Sequence, residues 1–118
     1  MLYSKKVIRS HGKAVSQFKE YAEIANISLK AGESYIIFGM TNVTLGEGVE
    51  LMSCSIDLKS GDTTSLERAT ARSTGNMGGG AMSFMYISCK TDCVVCIRGY
   101  GYSNLSYSYD GTLLAIEL

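Results

Sequence analysis

Four cysteines are the residues whose spacing comes nearest to a chemical site. Cys89, Cys93 and Cys96 give a C-x3-C-x2-C pattern, and Cys54 is available as a fourth thiolate. Four ligands in a tetrahedron are typical of structural zinc, usually as two close pairs on turns. Cys93 and Cys96 instead fall on one predicted strand at opposite parity, so their side chains leave opposite faces. The spacing therefore favours free, buried thiols and predicts no metal and no other cofactor.

A disulfide is the alternative chemistry for one pair of these cysteines. Cys89 and Cys93 flank a predicted tight turn, Lys90-Thr91-Asp92. A bond across that turn is expected if the protein is extracellular, because disulfides persist in oxidising surroundings. No secretory signal is visible, so the free thiol stays the default interpretation.

The chain lacks the pattern that nucleophilic catalysis needs. Its single histidine, His11, follows Ser10, but adjacency in sequence does not supply the geometry of nucleophile, base and orienting group. The glycine run at Gly78–Gly80 precedes a predicted strand and lacks the Lys-Ser/Thr of a phosphate-binding loop. The carboxylates are scattered, mostly at turns, where Asp62, Asp92 and Asp110 are expected to bond to the backbone. We therefore expect no enzyme, and a small hydrolytic sandwich with an unselected carboxylate pair is the alternative.

A run rich in tyrosine, serine and glycine gives the best candidate for ligand binding. Its candidate ligand-binding residues are Tyr102, Asn104, Tyr107 and Tyr109. Tyrosine supplies rigid amphipathic surface at low entropic cost, and serine, glycine and asparagine supply adaptable hydrogen bonds. Two other interpretations stay open. The alternating tyrosines pack between sheets, or they line a subunit interface, where tyrosine is also enriched.

Alternating apolar and polar residues predict the strands that would position this run. From Ile24 onward the period is two, and glycine-containing turns at 31–33, 46–48 and 59–62 separate the segments. The chain has 13 glycines for turns and no proline to interrupt a ladder of strand hydrogen bonds. Seven or eight short strands of this kind predict an all-β sandwich or barrel. The stretch from Tyr35 to Phe38 is nearly continuously apolar and predicts burial on both of its faces.

The first 20 residues are the hardest to interpret. Phe18, Tyr21, Ala22 and Ala25 have helical spacing within residues 16–25. The other interpretation is a loop that enters a strand near Tyr21. We accordingly divide the chain into an N-terminal lead-in segment, residues 1–20, and a head domain, residues 21–118.

Length and charge exclude several classes of function. A chain of 118 residues is one domain. Eleven basic and eleven acidic residues cancel, so nothing indicates the basic stripe of a nucleic-acid-binding protein. No apolar run approaches the roughly eighteen residues needed to cross a bilayer, so we expect no membrane insertion.

Two segments carry a resemblance to a known family. ISLKAGESYII (Ile27 to Ile37) is similar to the opening of jelly-roll heads, and SCKTDCVVCIRGYGYSNLSYSYDGTLLAIEL (Ser88 to Leu118) is similar to their ending. Over roughly residues 21–118 the chain resembles C1q/TNF-like heads. More closely, it resembles the C-terminal tip domains of bacteriophage tail-fibre and baseplate proteins. The resemblance implies an antiparallel jelly-roll sandwich, a homotrimer and binding to a host-surface ligand. It transfers no ligand-binding residue, and no fibrous shaft precedes the head in this chain.

The expected function is therefore that of a non-enzymatic, trimeric binding or structural head, found in a virion or outside the cell. Its partners would be two further copies of the chain and a cell-surface saccharide or protein receptor. A trimer also accounts for apolar residues on both parities in the segments 82–87 and 94–97, because exposed apolar patches usually mark interaction surfaces. A monomeric adhesion module is the remaining alternative.

Overall fold

The computed structural model describes residues 6–16, 21–44, 51–71, 73–74, 79–101 and 107–118. In these ranges the chain is all β, and the predicted fold class is confirmed. The strands are β1 (Val7–Ser16), β2 (Tyr21–Leu29), β3 (Ser34–Thr44), β4 (Leu51–Ser60), β5 (Thr63–Ala71), β6 (Ser73–Thr74), β7 (Gly79–Cys89), β8 (Cys93–Gly101) and β9 (Tyr107–Glu117).

The strands form two antiparallel sheets that pack as a β-sandwich. Sheet A has the order β1-β9-β3-β7-β5, and sheet B has the order β2-β8-β4-β6. Successive strands alternate between the two sheets, so each described connection crosses the sandwich and no strand pairs with its neighbour in sequence. Strand β5 lies at the edge of sheet A, as its weak, polar alternation predicts.

Strand β9 lies inside sheet A. It pairs with β1 from Val7↔Ile116 to Ser16↔Tyr107 and with β3 from Tyr35↔Glu117 to Thr44↔Ser108. The lead-in segment therefore contributes a full strand to the sandwich. The helical interpretation of residues 16–25 is wrong where the structure describes them, and the strand near Tyr21 is confirmed as β2.

The core lies between the inner faces of the two sheets. Period-two alternation places every second residue of each long strand in it, and bulky aliphatic side chains fill it. Each such side chain contributes about 1.5–3 kcal/mol when it is removed from water. The largest fully buried apolar and aromatic side chains are Tyr35, Ile37, Met85, Ile87 and Leu113 from sheet A, with Leu29, Ile56, Val95 and Ile97 from sheet B.

Three connections meet at one end of the sandwich, which we call the turn end: residues 30–33, 61–62 and 90–92. Ala31 N donates to Asp92 Oδ1 (2.9 Å), Asp62 N donates to Thr91 Oγ1 (2.9 Å), and Lys90 N donates to Asp62 O (2.8 Å). Lys30 N donates to the buried Tyr35 hydroxyl at 3.1 Å. Each connection therefore satisfies backbone groups of another, which fixes the spacing of the two sheets.

Two glycines at the turn end have left-handed backbones but different surroundings. Gly32 has φ 83° and open space where a Cβ would lie. Gly61 has φ 100°, and its Cβ would overlap the carbonyl oxygen of Asp92 and lie 2.7 Å from Cys93 Sγ. Only Gly61 combines conformational strain with a steric conflict against backbone.

We expect Gly61→Ala to lower the free energy of unfolding by about 2–4 kcal/mol, because it adds overpacking to the left-handed strain. The matched variant Gly32→Ala should lose about 1 kcal/mol from strain alone. Urea denaturation of both variants measures the difference. Equal losses would contradict the close approach at Gly61.

Candidate functional site

Two of the tyrosine-rich candidate residues, Tyr107 and Tyr109, lie at the end of the sandwich opposite the turn end. Tyr102 and Asn104 lie outside the described residues. Tyr107 and Tyr109 begin β9, where their backbones pair with Ser16 and Ala14 of β1, and their side chains lie outside the description. The far end of β9 reaches the turn end, where Leu118 N donates to Ser34 O at 2.9 Å. The candidate ligand-binding residues thus stay a prediction, and Tyr107 and Tyr109 are strand rather than loop residues.

The outer face of sheet A has an apolar centre, and polar residues such as Arg9, Asn42 and Glu67 surround it. Inner residues of its strands are buried, and the alternate residues face outward on β1, β9, β3, β7 and β5. The register aligns Leu114, Phe38, Phe84 and Ala69 in one row across four strands. We call the whole surface the apolar face: Val7, Ile36, Phe38, Met40, Ala69, Met82, Phe84, Leu114 and Ile116.

Large side chains of the apolar face remain in contact with solvent. Met40 and Met82 are 51% and 56% exposed, and Phe38 and Phe84 are 39% and 38% exposed. The two phenylalanine rings meet edge to face with centroids 5.5 Å apart. The predicted burial of Tyr35–Phe38 on both faces is therefore wrong for the single chain, which buries Tyr35 and Ile37 and leaves Phe38 outside.

A depression of about 410 Å³ borders the apolar face near β1. Its lining is mixed: Arg9, His11, Phe38, Met40, Thr112 and Leu114. His11 Nδ1 lies 2.8 Å from Thr112 Oγ1, and His11 Nε2 lies 2.6 Å from Asp110 Oδ1. The depression is therefore lined by a hydroxyl and an imidazole that contact each other. The carboxylate of Asp110 lies beside that imidazole, outside the lining, and belongs to strand β9 rather than to the turn expected from the sequence.

This chain of three groups differs from a hydrolytic triad in two ways. In the serine-protease arrangement Nε2 receives the nucleophile's proton and Nδ1 faces the carboxylate, whereas His11 presents its two nitrogens the other way round. An oxyanion hole also needs free, converging donors. Thr112 belongs to β9, whose backbone is paired on both sides. The three residues thus tie β1 to β9 through side chains.

The outer face of sheet B is polar and charged. The carboxylate of Glu23 pairs with Lys59 Nζ at 3.0 Å across β8. Asp57 accepts from Ser55 Oγ at 2.8 Å, pairs with Arg68 of β5, and has Arg98 Nε at 3.9 Å. We call this surface the charged face: Glu23, Asn26, Ser28, Ser55, Asp57, Lys59 and Arg98.

Cys96 lies beneath the charged face and is fully buried there. Glu23, whose pKa the hydrogen bond from Lys59 lowers, also contacts the Cys96 thiol. The pKa of Cys96 is raised by burial, although Arg98 beside it acts in the opposite direction. The sequence predicts apolar side chains on both faces of β7 and β8. On β7 the outward ones, Met82 and Phe84, are exposed, whereas on β8 the outward Cys96 is covered by ionic side chains of the same chain.

The other cysteines line the core. Cys54, Cys89 and Cys93 are buried, and all four thiols are free in the structure. Burial raises the pKa of Cys54 to about 11 and that of Cys89 to about 12. Cys93 faces the core while Cys96 faces outward, as their parity predicts. Within the described ranges, no three His, Cys, Asp or Glu side chains form a group able to hold a metal ion.

The difference between the two outer faces was not visible in the sequence. Phe38 and Cys96 both occur in apolar-looking runs, and only the sheet assignment shows that one is exposed and the other covered. The His11–Thr112 contact was also missed, because it joins residues 101 positions apart. No local pattern signals such a pair.

The raised pKa of Cys54 predicts a loss of stability in alkaline solution. Its thiol has an ordinary pKa of 9.0 when exposed and about 11 in the fold. The folded chain therefore binds more protons between these values, so the stabilisation is present below pH 9 and is lost as pH rises towards 11. Urea denaturation of reduced protein should show this decline, and Cys54→Ala should show a shallower one. An unchanged pH dependence in Cys54→Ala would contradict the assignment.

Comparisons of the chain with models of protein families, with curated proteins and with solved structures find no match. Among the described residues no helix is long and apolar enough to cross a membrane. The packing of the sandwich and the chemistry of its two outer faces are therefore the basis on which a function can be assigned.

Proposed function

We propose that this chain is a non-enzymatic head domain that assembles as a homotrimer through the apolar face and binds a cell-surface receptor. The receptor-binding residues would be Tyr102, Asn104, Tyr107 and Tyr109. Such a head suits the tip of a phage or prophage tail, and its place would be a virion or the extracellular space.

The contrast between the two outer faces carries this proposal. Both sheets have a water-facing side, yet only sheet A fills that side with phenylalanine, methionine and aliphatic residues. Sheet B covers its side with ion pairs. A contiguous apolar patch of this extent on a small domain marks an interaction surface. Burial against another protein removes the apolar face from water and leaves the charged face on the outside.

The charges beside the apolar face support a second copy of the chain as its partner. Arg9 and Lys13 of β1 are exposed along one edge, with Asp110 of β9 opposite Lys13. Glu67 of β5 is exposed along the other edge, and its neighbour Arg68 is already paired with Asp57 of sheet B. In a head-to-tail ring, one edge of each subunit meets the opposite edge of its neighbour, and the ring closes when the rotation allows. Opposite charges then meet at each boundary, which favours self-association in one orientation.

The strand order supports a jelly roll as the topology. Jelly rolls are double-sheet structures of eight strands built from two Greek keys. Here β1-β9-β3-β7 faces β2-β8-β4-β6, with β5 added at one edge. The alternation of successive strands between sheets agrees with the C1q/TNF-like resemblance of residues 27–37 and 88–118. That resemblance, rather than the sandwich itself, is what favours three subunits over two.

A hydrolytic sandwich is the second candidate function, and the His11, Thr112 and Asp110 chain is the feature that favours it. The reversed imidazole and the paired backbone of β9 weigh against it. In addition, the apolar face borders the depression and would close it on assembly. A monomeric adhesion module would leave the apolar face in water, which is unfavourable for a soluble domain.

The receptor proposal rests on the residue types of the four candidate binding residues. Tyrosine rings stack on sugar rings, and asparagine and serine bond to hydroxyl groups, so each site would be shallow and polar. Affinity per site would be about millimolar. Three sites on one assembly raise the effective affinity through multivalency.

Charge on the apolar face should prevent assembly. Wild-type protein is expected to elute as three 12.7 kDa chains, about 38 kDa, in size exclusion with light scattering. Phe84→Glu places an uncompensated carboxylate in the proposed interface and should give monomers.

Ser28→Glu on the charged face is the matched control and should stay trimeric, since Ser28 is exposed on the other sheet. Circular dichroism of both variants should retain the strand signal of the wild type. A monomeric or dimeric wild type at micromolar concentration would contradict the trimer.

The combined change Tyr107→Ala and Tyr109→Ala tests the receptor site. It should abolish binding to host cells while leaving assembly mass and β content unchanged, because only the stacking surface is removed. Cell binding is measured by pull-down of labelled protein. Normal binding would contradict the site, and loss of the trimer would instead assign these tyrosines to the subunit interface.

A further inference from the structure

We propose that Cys89 and Cys93 form a disulfide under oxidising conditions, tying β7 of sheet A to β8 of sheet B across the turn at residues 90–92. The pair is a modification site independent of the trimer and of the receptor. Only its setting outside the cell, where disulfides persist, rests on the proposed function.

The two thiols lie together at the turn end. Cys89 is 4% exposed and Cys93 is 1% exposed, and both face the core. Three residues, Lys90 to Asp92, separate them, and the turn places both side chains on the inner side of the sandwich. A disulfide needs Cβ atoms about 3.5–4.5 Å apart, and the short turn that joins the two strands keeps the pair close enough for a small backbone movement to join them.

The backbone on both sides of this pair is fixed. Cys89 N donates to Glu33 O at 2.9 Å, and Gly32 N donates to Cys89 O at 2.8 Å. On the other side, Cys93 Sγ lies 3.4 Å from Asp62 O and 3.3 Å from Thr91 O. The connection between the sheets is therefore preorganised for one pairing.

The other two cysteines are poorly placed to compete. Cys54 lies opposite Gly99 in the register of β4 and β8, six residues along β8 from Cys93 and so about 20 Å away. Cys96 leaves the opposite face of β8 and lies under the Glu23–Lys59 ion pair. Of the possible pairings, Cys89 with Cys93 is the one whose two members flank a single short turn and both face the core.

The reaction is thiol–disulfide exchange with a small-molecule disulfide such as oxidised glutathione. One cysteine thiolate attacks a glutathione sulfur and releases glutathione thiolate. The second cysteine then attacks the mixed disulfide and releases another. The two protons from the cysteines pass to the two released glutathione thiolates. In total, oxidised glutathione gains two electrons and the cysteine pair loses two. Burial keeps Cys89 protonated in the closed fold, so the bond forms while the turn is open, during folding or local opening.

The test uses the full chain with Cys54→Ala and Cys96→Ala, which keeps only the pair in question. Protein refolded from denaturant with oxidised and reduced glutathione should be about 2 Da lighter than protein refolded with excess reductant. Trypsin cleaves after Lys90, between the two cysteines. The oxidised sample should therefore yield residues 73–90 joined to residues 91–98, and reductant should separate them. The oxidised form should melt about 5–10 °C higher.

A matched variant that also carries Cys93→Ser controls for glutathione adducts and for bonds between chains. It should show neither the mass loss nor the joined peptides. Two free thiols in the refolded parent variant, counted in denaturant on protein whose circular dichroism is native, would overturn the proposal. Peptides joined only between chains would overturn it as well. Assembly mass is measured on the reduced protein, so failure of the disulfide and failure of the trimer are separate results.

Discussion

The insertion of β9 between β1 and β3 is the constraint on which the rest of the sandwich depends. Among the described strands, β9 is the only one that pairs with β1 in sheet A. Without β9, strand β3 would keep only β7 as a neighbour. The pairing of β1 with β9 joins residues about a hundred positions apart, and the pairing of β3 with β9 joins residues 64 to 82 positions apart, so their formation closes most of the chain at once. Contacts between residues so far apart make folding slow. The entropic cost of closing such a loop, however, grows only slowly with its length, so the loss of stability is small.

The alternation of strands between sheets follows from the same arrangement. Because consecutive strands belong to different sheets, each described tight turn connects one sheet to the other. The turns at residues 30–33, 61–62 and 90–92 are short, and they bond to one another as well as to the strands they join. That mutual bonding makes the turn end a rigid base, whereas Tyr107 and Tyr109, in the first part of β9, lie at the other end. Binding residues on segments held by a rigid scaffold are a common division of labour.

The two outer faces of the sandwich differ in chemistry, whereas its two inner faces are alike. The inner faces of both sheets are aliphatic, and neither indicates which side of the molecule meets a partner. Outside, Phe38 and Met82 on sheet A face solvent, whereas Glu23 and Asp57 on sheet B are held in ion pairs that cover Cys96. Exposed ion pairs add little stability, so the charged face is best understood as a surface that keeps sheet B in water. The apolar face is the side that requires an explanation in terms of assembly.

The sequence by itself determined the strands from Ile24 onward, because a side-chain period of two and the absence of proline are local properties. The apolar stretch Tyr35–Phe38 lies in β3, and the turn at Lys90–Asp92 was predicted where it lies. The tertiary structure decided which strands share a sheet and therefore what each outward side chain meets. The first strand escaped prediction because Gly12 and Ser10 weaken its alternation, and its pairing partner lies at the far end of the chain. Likewise, Phe38 and Cys96 differ in exposure because their neighbours come from other strands, which no window of sequence contains.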